Sequence, residues 1–595
     1  MVKSNPVNFV GDIHKIDYTT IYENGNVSYK DMVADSGRFK ESLNGLWHYG
    51  IDQYDTCLRA TWFAEKYVDN CGMQLPVDFS FDQWPTVQIP SCWNTQSERL
   101  QLYEGTVVYT RTFKYKKQEE ERVLLRIGAA NYVARVFLNG KFAGMHRGGS
   151  TPFFMDVTGL LEENNRILIT VDNTRRPEHV PCENYDWFNY GGLYRDIELI
   201  RLPKAYIKDY FVRLVPDGCY NKIAIDVTVA GVDDGVVTIR IPELAVSTEV
   251  TIQDGKGNVV IRVRPQLWSP EDPKLYDVEL CFHGDCVAEA VGFREIKTAG
   301  RDILLNGKPL YMCGISCHEE SVGNGKAVSE AETLENLTLA KELGCNFMRL
   351  AHYPHSEKTA RMADKLGIML WEEIPVYWAI RFEREQTCLD AENQLLELIL
   401  RDRNRASVII WSVGNENADS DERLSFMSRL ARSARKEDNT RLISAACMID
   451  HVNTRITDRL IEHLDVIGVN EYCGWYSPDF SKLPRLFNNS APEKPVIISE
   501  FGADAKARHR GTINDMGSED CQGEVYRKQI ETLRKISYVK GISPWILYDF
   551  RCPRRLHYLQ DYYNTKGLCS ADKSYKKQAF YILQQYYKER AGGHT

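Results

Sequence analysis

Residues 407–416 read Ser-Val-Ile-Ile-Trp-Ser-Val-Gly-Asn-Glu, and residues 496–500 read Val-Ile-Ile-Ser-Glu. Each stretch is a short apolar run, rich in β-branched residues, that ends on a glutamate, Glu416 in the first and Glu500 in the second. Runs of this kind are typical of strands that are buried on both faces of a parallel sheet. A carboxylate that ends such a strand lies at the edge of the sheet where α/β folds build their functional sites.

Similar runs recur from about residue 300 onward and alternate with helical patterns, for example at 331–343 and 422–436. Eight runs in about 290 residues match the strand count of a (β/α)8 barrel. A doubly wound open sheet is the alternative, but it favours a glycine-rich phosphate loop after the first strand, where Gly314 stands nearly alone. The candidate strands are 309–316, 346–350, 367–373, 407–415, 442–446, 464–471, 495–501 and 542–549.

The part of the chain before the barrel has β character. Residues 1–203 contain strand-like runs at 106–113, 122–126, 132–137 and 166–171, and Asn139-Gly140 is a two-residue hairpin signal. Residues 204–297 give a second set of short, nearly alternating strands, which predicts a small β-sandwich. The expected fold is therefore multidomain, with two β-rich regions followed by a (β/α)8 barrel over 298–595.

The composition excludes some classes of partner. The chain has 595 residues, too many for one hydrophobic core, and its hydrophobic share of 43% is that of an ordinary globular protein. A formal net charge of −8 gives no support to a nucleic-acid or anionic-membrane partner. The sequence contains no run of 18 apolar residues, and its first residues lack the apolar core of a signal peptide. We therefore expect neither a membrane span nor secretion.

The 16 cysteines show neither even spacing nor a metal-binding pattern. Cys313, Cys317 and His318 lie close together, but a zinc site needs further ligands at matching spacing, and none follows. We expect no metal and no other cofactor. Cysteines without a disulfide framework fit a reducing compartment best, which predicts a cytoplasmic location.

Polar, charged and aromatic residues follow the candidate barrel strands. Any one of them alone would ordinarily belong to a surface loop, but two glutamates that end buried strands on opposite sides of one barrel indicate a shared site. The remaining candidates at the strand ends are predicted to bind the substrate; they are His318, Arg349, Arg381, Asn415, Asn470, Tyr472, Tyr476 and Trp545.

Two carboxylates across a barrel mouth suit the hydrolysis of a glycosidic bond. One carboxyl group, held protonated, donates its proton to the leaving oxygen, and the other, ionised, attacks the anomeric carbon. A separation of about 5 to 5.5 Å between them predicts retention of configuration. Asn415 is placed to hold the sugar 2-hydroxyl, and Tyr472 to hydrogen-bond the ionised nucleophile.

Short motifs run nearly from end to end of the chain. They are Ser-Leu-Asn-Gly-Leu-Trp at 42–47, Ile-Pro-Ser-Cys-Trp at 89–93, Asn-Tyr-Gly-Gly-Leu-Tyr-Arg at 189–195, Gly-Phe-Arg at 292–294, Leu-Asn-Gly-Lys-Pro at 305–309, Arg-Leu-Ala-His-Tyr at 349–353, Trp-Ser-Val-Gly-Asn-Glu at 411–416 and Ser-Glu-Phe-Gly at 499–502. As a set they resemble glycoside hydrolase family 2, which includes β-galactosidases, β-mannosidases and β-glucuronidases.

This resemblance implies a jelly-roll sugar-binding-like domain over 1–203, an immunoglobulin-like β-sandwich over 204–297 and the barrel over 298–595. It also implies that Glu416 is the acid/base and Glu500 the nucleophile. One departure is Asn417, where many members of the family have proline. We expect little effect, because the reacting side chain is one position earlier.

The kind of sugar that the site accepts is predicted from the charged residues expected near C6, the end of the ring away from the reacting carbon. Asn564 and Lys566, in an Asn-Thr-Lys sequence, resemble the Asn-x-Lys signature of β-glucuronidases. An ammonium and an amide can bind the C6 carboxylate of a uronic acid, whereas a neutral hexose would leave the lysine unpaired. Asp186 resembles the jelly-roll aspartate that reaches the sugar hydroxyls, and Tyr476 the aromatic residue beside the uronate.

Arg381 has two interpretations. It either contacts the C4 hydroxyl or pairs in solvent with Glu383 or Glu385. The sequence predicts a retaining exo-β-glucuronidase. Glucuronate and galacturonate differ only at C4, so a β-galacturonidase or a dual specificity remains the alternative. A β-galactosidase is the next alternative, and a catalytically inactive carbohydrate-binding protein is disfavoured because both glutamates are present.

The first 40 residues are longer than the family needs before the motif at 42–47. They contain Ile13, Ile16, Tyr18, Ile21 and Tyr22, enough apolar area to dock on the same chain or on a neighbour. We therefore predict a homo-oligomer. Its expected substrates, from the residues discussed above, are small-molecule or oligosaccharide β-uronides.

Overall fold

A computed structural model describes residues 25–64, 66–68, 73–76 and 80–592. The first β-rich region is built mainly from two packed antiparallel sheets. Its strands are β1 Lys40–Ser42, β2 Gly45–Ile51, β3 Lys66–Val68, β4 Gln74–Pro76, β5 Thr86–Ile89, β6 Thr106–Lys114, β7 Arg122–Ile127, β8 Ala130–Asn131, β9 Val133–Leu138, β10 Lys141–Arg147, β11 Phe153–Asp156, β12 Asn164–Asp172, β13 Gly192–Leu193 and β14 Ile197–Leu202, with one short helix, α1 Thr56–Arg59.

The larger sheet of this region has the strand order β10-β9-β12-β6-β2-β5, and the smaller one β1-β14-β7-β11. Their inner faces enclose an apolar core that contains Trp47 and Tyr109. The predicted hairpin joins β9 to β10, and Asn139 and Gly140 both have positive φ, as a two-residue turn of this type requires.

The second β-rich region is a smaller sandwich with the sheets β15-β16-β19 and β18-β17-β20-β21. A three-stranded sheet, β22-β23-β24, leads from it into the barrel. These strands are β15 Tyr206–Leu214, β16 Lys222–Ala230, β17 Gly235–Ile241, β18 Val246–Ile252, β19 Lys256–Arg262, β20 Tyr276–Phe282, β21 Asp285–Val291, β22 Ile296–Ala299, β23 Asp302–Leu305 and β24 Lys308–Pro309.

The carboxyl-terminal half is a closed barrel of parallel strands in sequence order, β25 to β32. Its strands are β25 Met312–Cys317, β26 Phe347–Leu350, β27 Met369–Glu373, β28 Val408–Asn415, β29 Leu442–Cys447, β30 Ile467–Asn470, β31 Val496–Glu500 and β32 Val539–Ile542. The outer helices are α2 Glu330–Leu343, α3 Glu357–Leu366, α4 Glu385–Asp402, α5 Asp421–Glu437, α6 Lys482–Asn489, α7 Glu519–Leu533 and α8 Gln578–Ala591. A hairpin of β33 Phe550–Arg551 and β34 Tyr563–Asn564 follows the last barrel strand. Short 3-10 turns lie at Tyr29–Asp31, Trp62–Ala64, Phe81–Gln83, Trp93–Thr95, Glu98–Leu100, Pro242–Leu244 and Arg459–His463.

The eighth barrel strand differs from its prediction. The run at 542–549 was expected to form it, but the strand is β32, which ends at Ile542. Pro544 follows almost at once, and a proline has no N–H to extend a ladder of hydrogen bonds. Trp545 and Asp549 therefore lie on the segment after the strand, at the barrel mouth, and not on the strand itself.

Buried polar contacts connect the first sandwich to the barrel. His146 Nε2 lies 3.0 Å from Glu397 Oε1 on α4, and both side chains are fully buried. Arg195 Nη2 lies 2.7 Å from Glu319 Oε2, just after β25. These contacts join the first sandwich, which carries Asp186, to the barrel.

The predicted amino-terminal arm lies partly outside the described residues, which begin at residue 25. The apolar residues on which that prediction rests lie outside them: Ile13, Ile16, Tyr18, Ile21 and Tyr22. The described part packs on its own chain. The Tyr29 amide donates to Asn393 Oδ1 on α4 at 2.8 Å, and Arg38 pairs with Asp285 of the second sandwich. None of the helices in the described part of the chain combines the length and apolarity that a membrane crossing requires.

The second sandwich contains a feature that the cysteine pattern did not predict. Cys281 and Cys286 face each other across β20 and β21 and form a disulfide. Glu279 lies close to both cysteines, and the three side chains together resemble a metal-binding cluster. The two sulfur atoms are bonded to each other, however, so they are not free thiolate ligands.

Candidate active site

A cavity of about 480 Å³ opens at the carboxyl ends of the barrel strands. Side chains from the barrel loops line it, and the first sandwich contributes Asp186. Nine of the residues singled out from the sequence lie in its wall: Asp186, Glu416, Asn470, Tyr472, Tyr476, Glu500, Trp545, Asn564 and Lys566.

Glu500, at the end of β31, is held by hydrogen bonds on both carboxylate oxygens. Arg349 Nη1 donates to Oε1 at 2.7 Å, and the Tyr472 hydroxyl donates to Oε2 at 2.7 Å. Burial raises the pKa of Tyr472 well above its usual value, and the charge of Glu500 adds to this. The phenol therefore remains a donor, and the two contacts hold the Glu500 carboxylate in one orientation.

Arg349 is completely buried and is itself fixed by Glu373, whose carboxylate lies 3.0 Å from Nη2. Glu373 accepts further hydrogen bonds from His352 at 2.8 Å and Trp371 at 2.9 Å. Arg349 does not line the cavity. It was predicted to bind substrate, but its contacts make it a residue that positions Glu500.

Glu416 follows β28 and lies in a different electrostatic environment. Burial raises the pKa of Glu416 to about 7, and the neighbouring negative charge of Glu500 acts in the same direction. Trp378 Nε1 donates to Oε2 at 2.8 Å, and Glu416 has a positive φ of 51°. A strained backbone at such a position is a feature of functional sites. The two carboxyl groups thus have different partners in one cavity, and the pKa of Glu416 is the raised one.

Asn417 occupies the position noted as a departure from the family pattern. Its side chain is buried, and Nδ2 donates to the Trp378 carbonyl at 2.8 Å. The amide of Asn417 therefore ties the loop of Trp378 to the chain beside Glu416.

Asn415 and Asn470 form a hydrogen-bonded network below Glu416. Asn415 Oδ1 accepts from Arg349 at 2.7 Å and from Asn470 Nδ2 at 3.1 Å. Asn415 Nδ2 is buried without a hydrogen-bond partner among the described residues. Asn470 lines the cavity and Asn415 does not, so the predicted contact of Asn415 with a sugar hydroxyl stays a prediction.

Lys566 forms an ion pair that the sequence analysis did not anticipate. Its Nζ lies 2.6 Å from Asp504 Oδ2, and both side chains are almost fully buried. Burial alone would raise the pKa of Asp504, but the Lys566 charge lowers it to about 2. The ammonium also lies 5.0 Å from the centre of the Tyr476 ring. The expectation that a neutral sugar would leave Lys566 unpaired is therefore wrong.

A second ion pair lies across the domain boundary. Arg555, on the loop between β33 and β34, pairs with Asp186 of the first sandwich. Asn564 Nδ2 contacts the same Asp186 oxygen at a long 3.4 Å, and the Cys552 thiol lies 3.2 Å from the other oxygen. Asp186 is therefore fixed by residues of the barrel, and Arg555 is a cation of the cavity wall.

Two predicted contact residues lie elsewhere. His318 is buried against Phe550, with a ring-centre distance of 4.2 Å, and is not part of the cavity wall. Its Nδ1 lies 3.1 Å from the Tyr353 hydroxyl. Arg381 Nη1 lies 3.9 Å from Glu383 in solvent, also away from the cavity. The structure thus shows the solvated alternative for Arg381, and its contact with the C4 hydroxyl stays a prediction.

Sequence reasoning missed Asp504 and Arg555. Asp504 lies four positions after Glu500, and Arg555 belongs to an arginine-rich loop, Arg551-Cys-Pro-Arg-Arg555. Neither position matches a motif, since each acquires its role from a partner that is distant in sequence. A charge four residues beyond a candidate nucleophile was the available signal for Asp504.

Family models of glycosyl hydrolases family 2 match nearly the whole chain. The sugar binding domain matches residues 40–203, the model that carries the family's own name matches 205–294, and the TIM barrel domain matches 296–590. The chain belongs to this family. It is therefore a glycoside hydrolase, and the multidomain fold with a (β/α)8 barrel expected from the sequence is confirmed.

Individual relatives are similar to this chain along most of their length. The chain is 28% identical to the β-glucuronidase of Paenibacillus borealis over 604 residues, which covers 91% of this chain and 95% of that protein. It is 28% identical to the β-glucuronidase of Rattus norvegicus over 615 residues, covering 92% and 90%. Among solved structures, a β-glucuronidase from an uncultured Clostridium species superposes with a TM-score of 0.82 at 27% identity, covering 94% of this chain and 99% of that one.

Proposed function

We propose that this glycoside hydrolase is a retaining exo-β-glycosidase that hydrolyses β-D-glucuronides. The observation that carries the proposal is a single cavity with two differently poised glutamates and, in the same wall, the Lys566 ammonium. The relatives described above, which are β-glucuronidases, support the same substrate. We also propose that the three domains meet at the boundaries predicted from the sequence, after residues 203 and 297.

In the first step, Glu500 attacks the anomeric carbon while Glu416 donates its proton to the leaving oxygen. The elevated pKa of Glu416, about 7, keeps a proton available near neutral pH. The hydrogen bonds from Arg349 and Tyr472 orient the Glu500 carboxylate for this attack. The product of this step is a covalent glycosyl-enzyme and a free aglycone.

In the second step, Glu416 acts as a base. It takes a proton from water, which attacks the anomeric carbon and releases Glu500, and the two inversions give overall retention. The negative charge of Glu500 raises the pKa of Glu416 and is lost when the ester forms. The pKa of Glu416 then falls, which suits its change from acid to base.

The uronate carboxylate is bound by Lys566 and Asn564. An ammonium has three N–H donors, and Asp504 accepts from Lys566 Nζ at 2.6 Å. Donors remain for a substrate carboxylate. Arg555, and not Arg381, is the second cation of this wall, and with Asp186 it contacts the hydroxyl side of the ring. This arrangement leaves the galacturonide alternative in place, since Lys566 would bind either epimer.

The test is a comparison of three substrates under identical conditions. We expect kcat/KM to be highest for 4-nitrophenyl β-D-glucuronide, lower for the β-D-galacturonide and lowest for the neutral β-D-galactoside. A preference for the galacturonide would transfer the proposal to the alternative epimer. A preference for the galactoside would overturn the uronidase proposal and leave the glycosidase mechanism.

A homo-oligomer and a cytoplasmic location remain predictions. Residues 25–40 contact their own chain, for example through Tyr29 and Arg38. We propose that the residues before them contribute to association between copies. Light scattering of the full chain and of a variant that lacks residues 1–24 tests this, and a monomer at micromolar concentration in both would contradict it.

A further inference from the structure

The cavity extends between the loops that follow β29 and β30. This extension is lined by Ile449, His451 and Thr454 on the first loop, by Cys473, Ser477 and Pro478 on the second, and by Lys482 and Leu486 of α6. A volume of about 480 Å³ for the whole cavity falls in the range of roughly 300 to 1,000 Å³ that is typical for drug-sized ligands. The cavity therefore has room for a sugar and for part of the group attached to it.

The position of the extension identifies its occupant. Lys566 and Asn564 follow β32 and Asp186 belongs to the first sandwich, whereas Glu416 follows β28, which pairs with β29. The leaving oxygen must lie beside Glu416, because that residue protonates it under the proposed function. The aglycone therefore projects towards the loops after β29 and β30, into the extension.

The wall of the extension combines apolar and polar side chains with one lysine, Lys482. Ile449 and Leu486 are buried side chains of its wall, and Met448 and Val452 are large apolar residues exposed to solvent at 40% and 91% on the adjoining loop. The apolar surface suits a flat or aliphatic aglycone body.

Lys482 is half-buried in this wall, and its ammonium has no hydrogen-bond or ion-pair partner among the residues that the structure describes. The nearest acid along the chain, Asp479, accepts hydrogen bonds from Ser481 Oγ at 2.6 Å and from Arg485 Nη2 at 2.7 Å. Hydrogen bonds from Ser481 lower the pKa of Asp479, and the charge of Lys482 adds to this, but no ion pair joins the two side chains. The Lys482 ammonium therefore keeps donors that a ligand can use. The lysine of the sugar end, Lys566, contrasts with it because Asp504 already pairs with that ammonium.

We propose that this extension is an aglycone subsite for apolar groups that carry a carboxylate, with Lys482 as the residue that binds the anion. The substrate class is therefore the glucuronides of aromatic acids whose hydroxyl forms the glycosidic bond. The proposal rests on the proposed function for the orientation of the sugar. It adds a selectivity for the leaving group, which does not depend on which uronate is bound.

The test uses two substrates that differ in one charge. These are 4-carboxyphenyl β-D-glucuronide and its methyl ester, 4-(methoxycarbonyl)phenyl β-D-glucuronide. The ratio of their kcat/KM values is measured for the native chain and for Lys482→Met. We expect the acid-to-ester ratio to fall by about three- to tenfold in the variant, the size of an ion pair that is partly exposed. Lys482→Arg is expected to restore the ratio, and salt is expected to lower it in the native chain only.

Lys436→Met is the matched control, because it removes the same charge from α5 at a position that does not line the cavity. An unchanged ratio in Lys482→Met, or an equal change in Lys436→Met, would overturn the subsite. The same acid and ester are also measured as β-galacturonides and β-galactosides. Loss of glucuronide turnover would then count against the sugar proposal, while the acid-to-ester ratio on the preferred sugar still decides the role of Lys482.

Discussion

The two ends of the cavity are built in different ways. At the reacting end, Glu416 follows β28, Glu500 ends β31, and Arg349 lies on a third barrel strand, β26. At the recognition end, Asp186, Arg555 and Lys566 come from loops of two domains and are held by ion pairs. Chemistry therefore depends on the rigid barrel, whereas selectivity depends on contacts between segments far apart in the chain.

This difference predicts that damage at the reacting end affects every substrate. Glu500→Gln removes the nucleophile and should lower kcat on uronides and neutral glycosides alike, by more than about 10³-fold. Glu416→Gln should have a large effect, about 10² to 10⁴-fold, on unactivated aglycones and a smaller one on 4-nitrophenyl glycosides, which need little protonation. Steady-state rates on both kinds of aglycone measure this. Equal losses for both in Glu416→Gln would contradict the assignment of the acid.

The recognition end should respond to substrate charge instead. Lys566→Met removes a charge-assisted hydrogen bond worth about 1.5 to 3 kcal/mol, so kcat/KM on the glucuronide should fall by roughly ten- to hundredfold. Activity on a neutral galactoside should change little.

Because Lys566→Met leaves Asp504 as a buried unpaired acid, the variant is also made together with Asp504→Asn. Circular dichroism and thermal unfolding separate a folding defect from a binding defect. If the double variant retains full uronide activity, Lys566 does not bind the carboxylate, and the recognition end would have to be assigned to Arg555 alone.

The pH dependence probes the reacting end without changing the recognition end. The pKa of Glu416 is raised to about 7, and the acid must be protonated in the free enzyme. The value of kcat/KM should therefore be constant about one pH unit or more below 7, be halved near pH 7 and fall about tenfold per pH unit well above it. Glu416→Gln, assayed with an activated aglycone, should lack this alkaline decline. A decline at the same pH in that variant would assign the titration to another group.

The same contrast explains how much was predictable from the sequence. The barrel strands are continuous apolar runs, so their ends, and with them Glu416 and Glu500, were located from the sequence. The last strand was misplaced because Pro544 interrupts an apolar run. His318 follows β25 like a site residue, yet its ring packs against Phe550 behind the wall.

Partners from distant segments left no comparable signal. The pairing of Lys566 with Asp504 and of Asp186 with Arg555 depends on how loops meet in three dimensions. Periodicity describes how one element is buried and contains no information about which charges meet. The disulfide of Cys281 and Cys286 was missed for the same reason, since strand register, not cysteine spacing, brings them together.

The smallest expected effect is the sharpest test of the recognition end, because it concerns a single hydroxyl. Arg555 and Asp186 form an ion pair in the cavity wall, and Arg381 lies in solvent beside Glu383. Arg555→Gln should therefore change the glucuronide-to-galacturonide ratio of kcat/KM by about threefold to tenfold, the worth of one hydrogen bond to a neutral group. Arg381→Gln, which removes the same charge outside the cavity, should leave the ratio within error. An equal shift in both variants would indicate a long-range charge effect. A shift in Arg381→Gln alone would restore the C4 contact that the structure assigns to solvent.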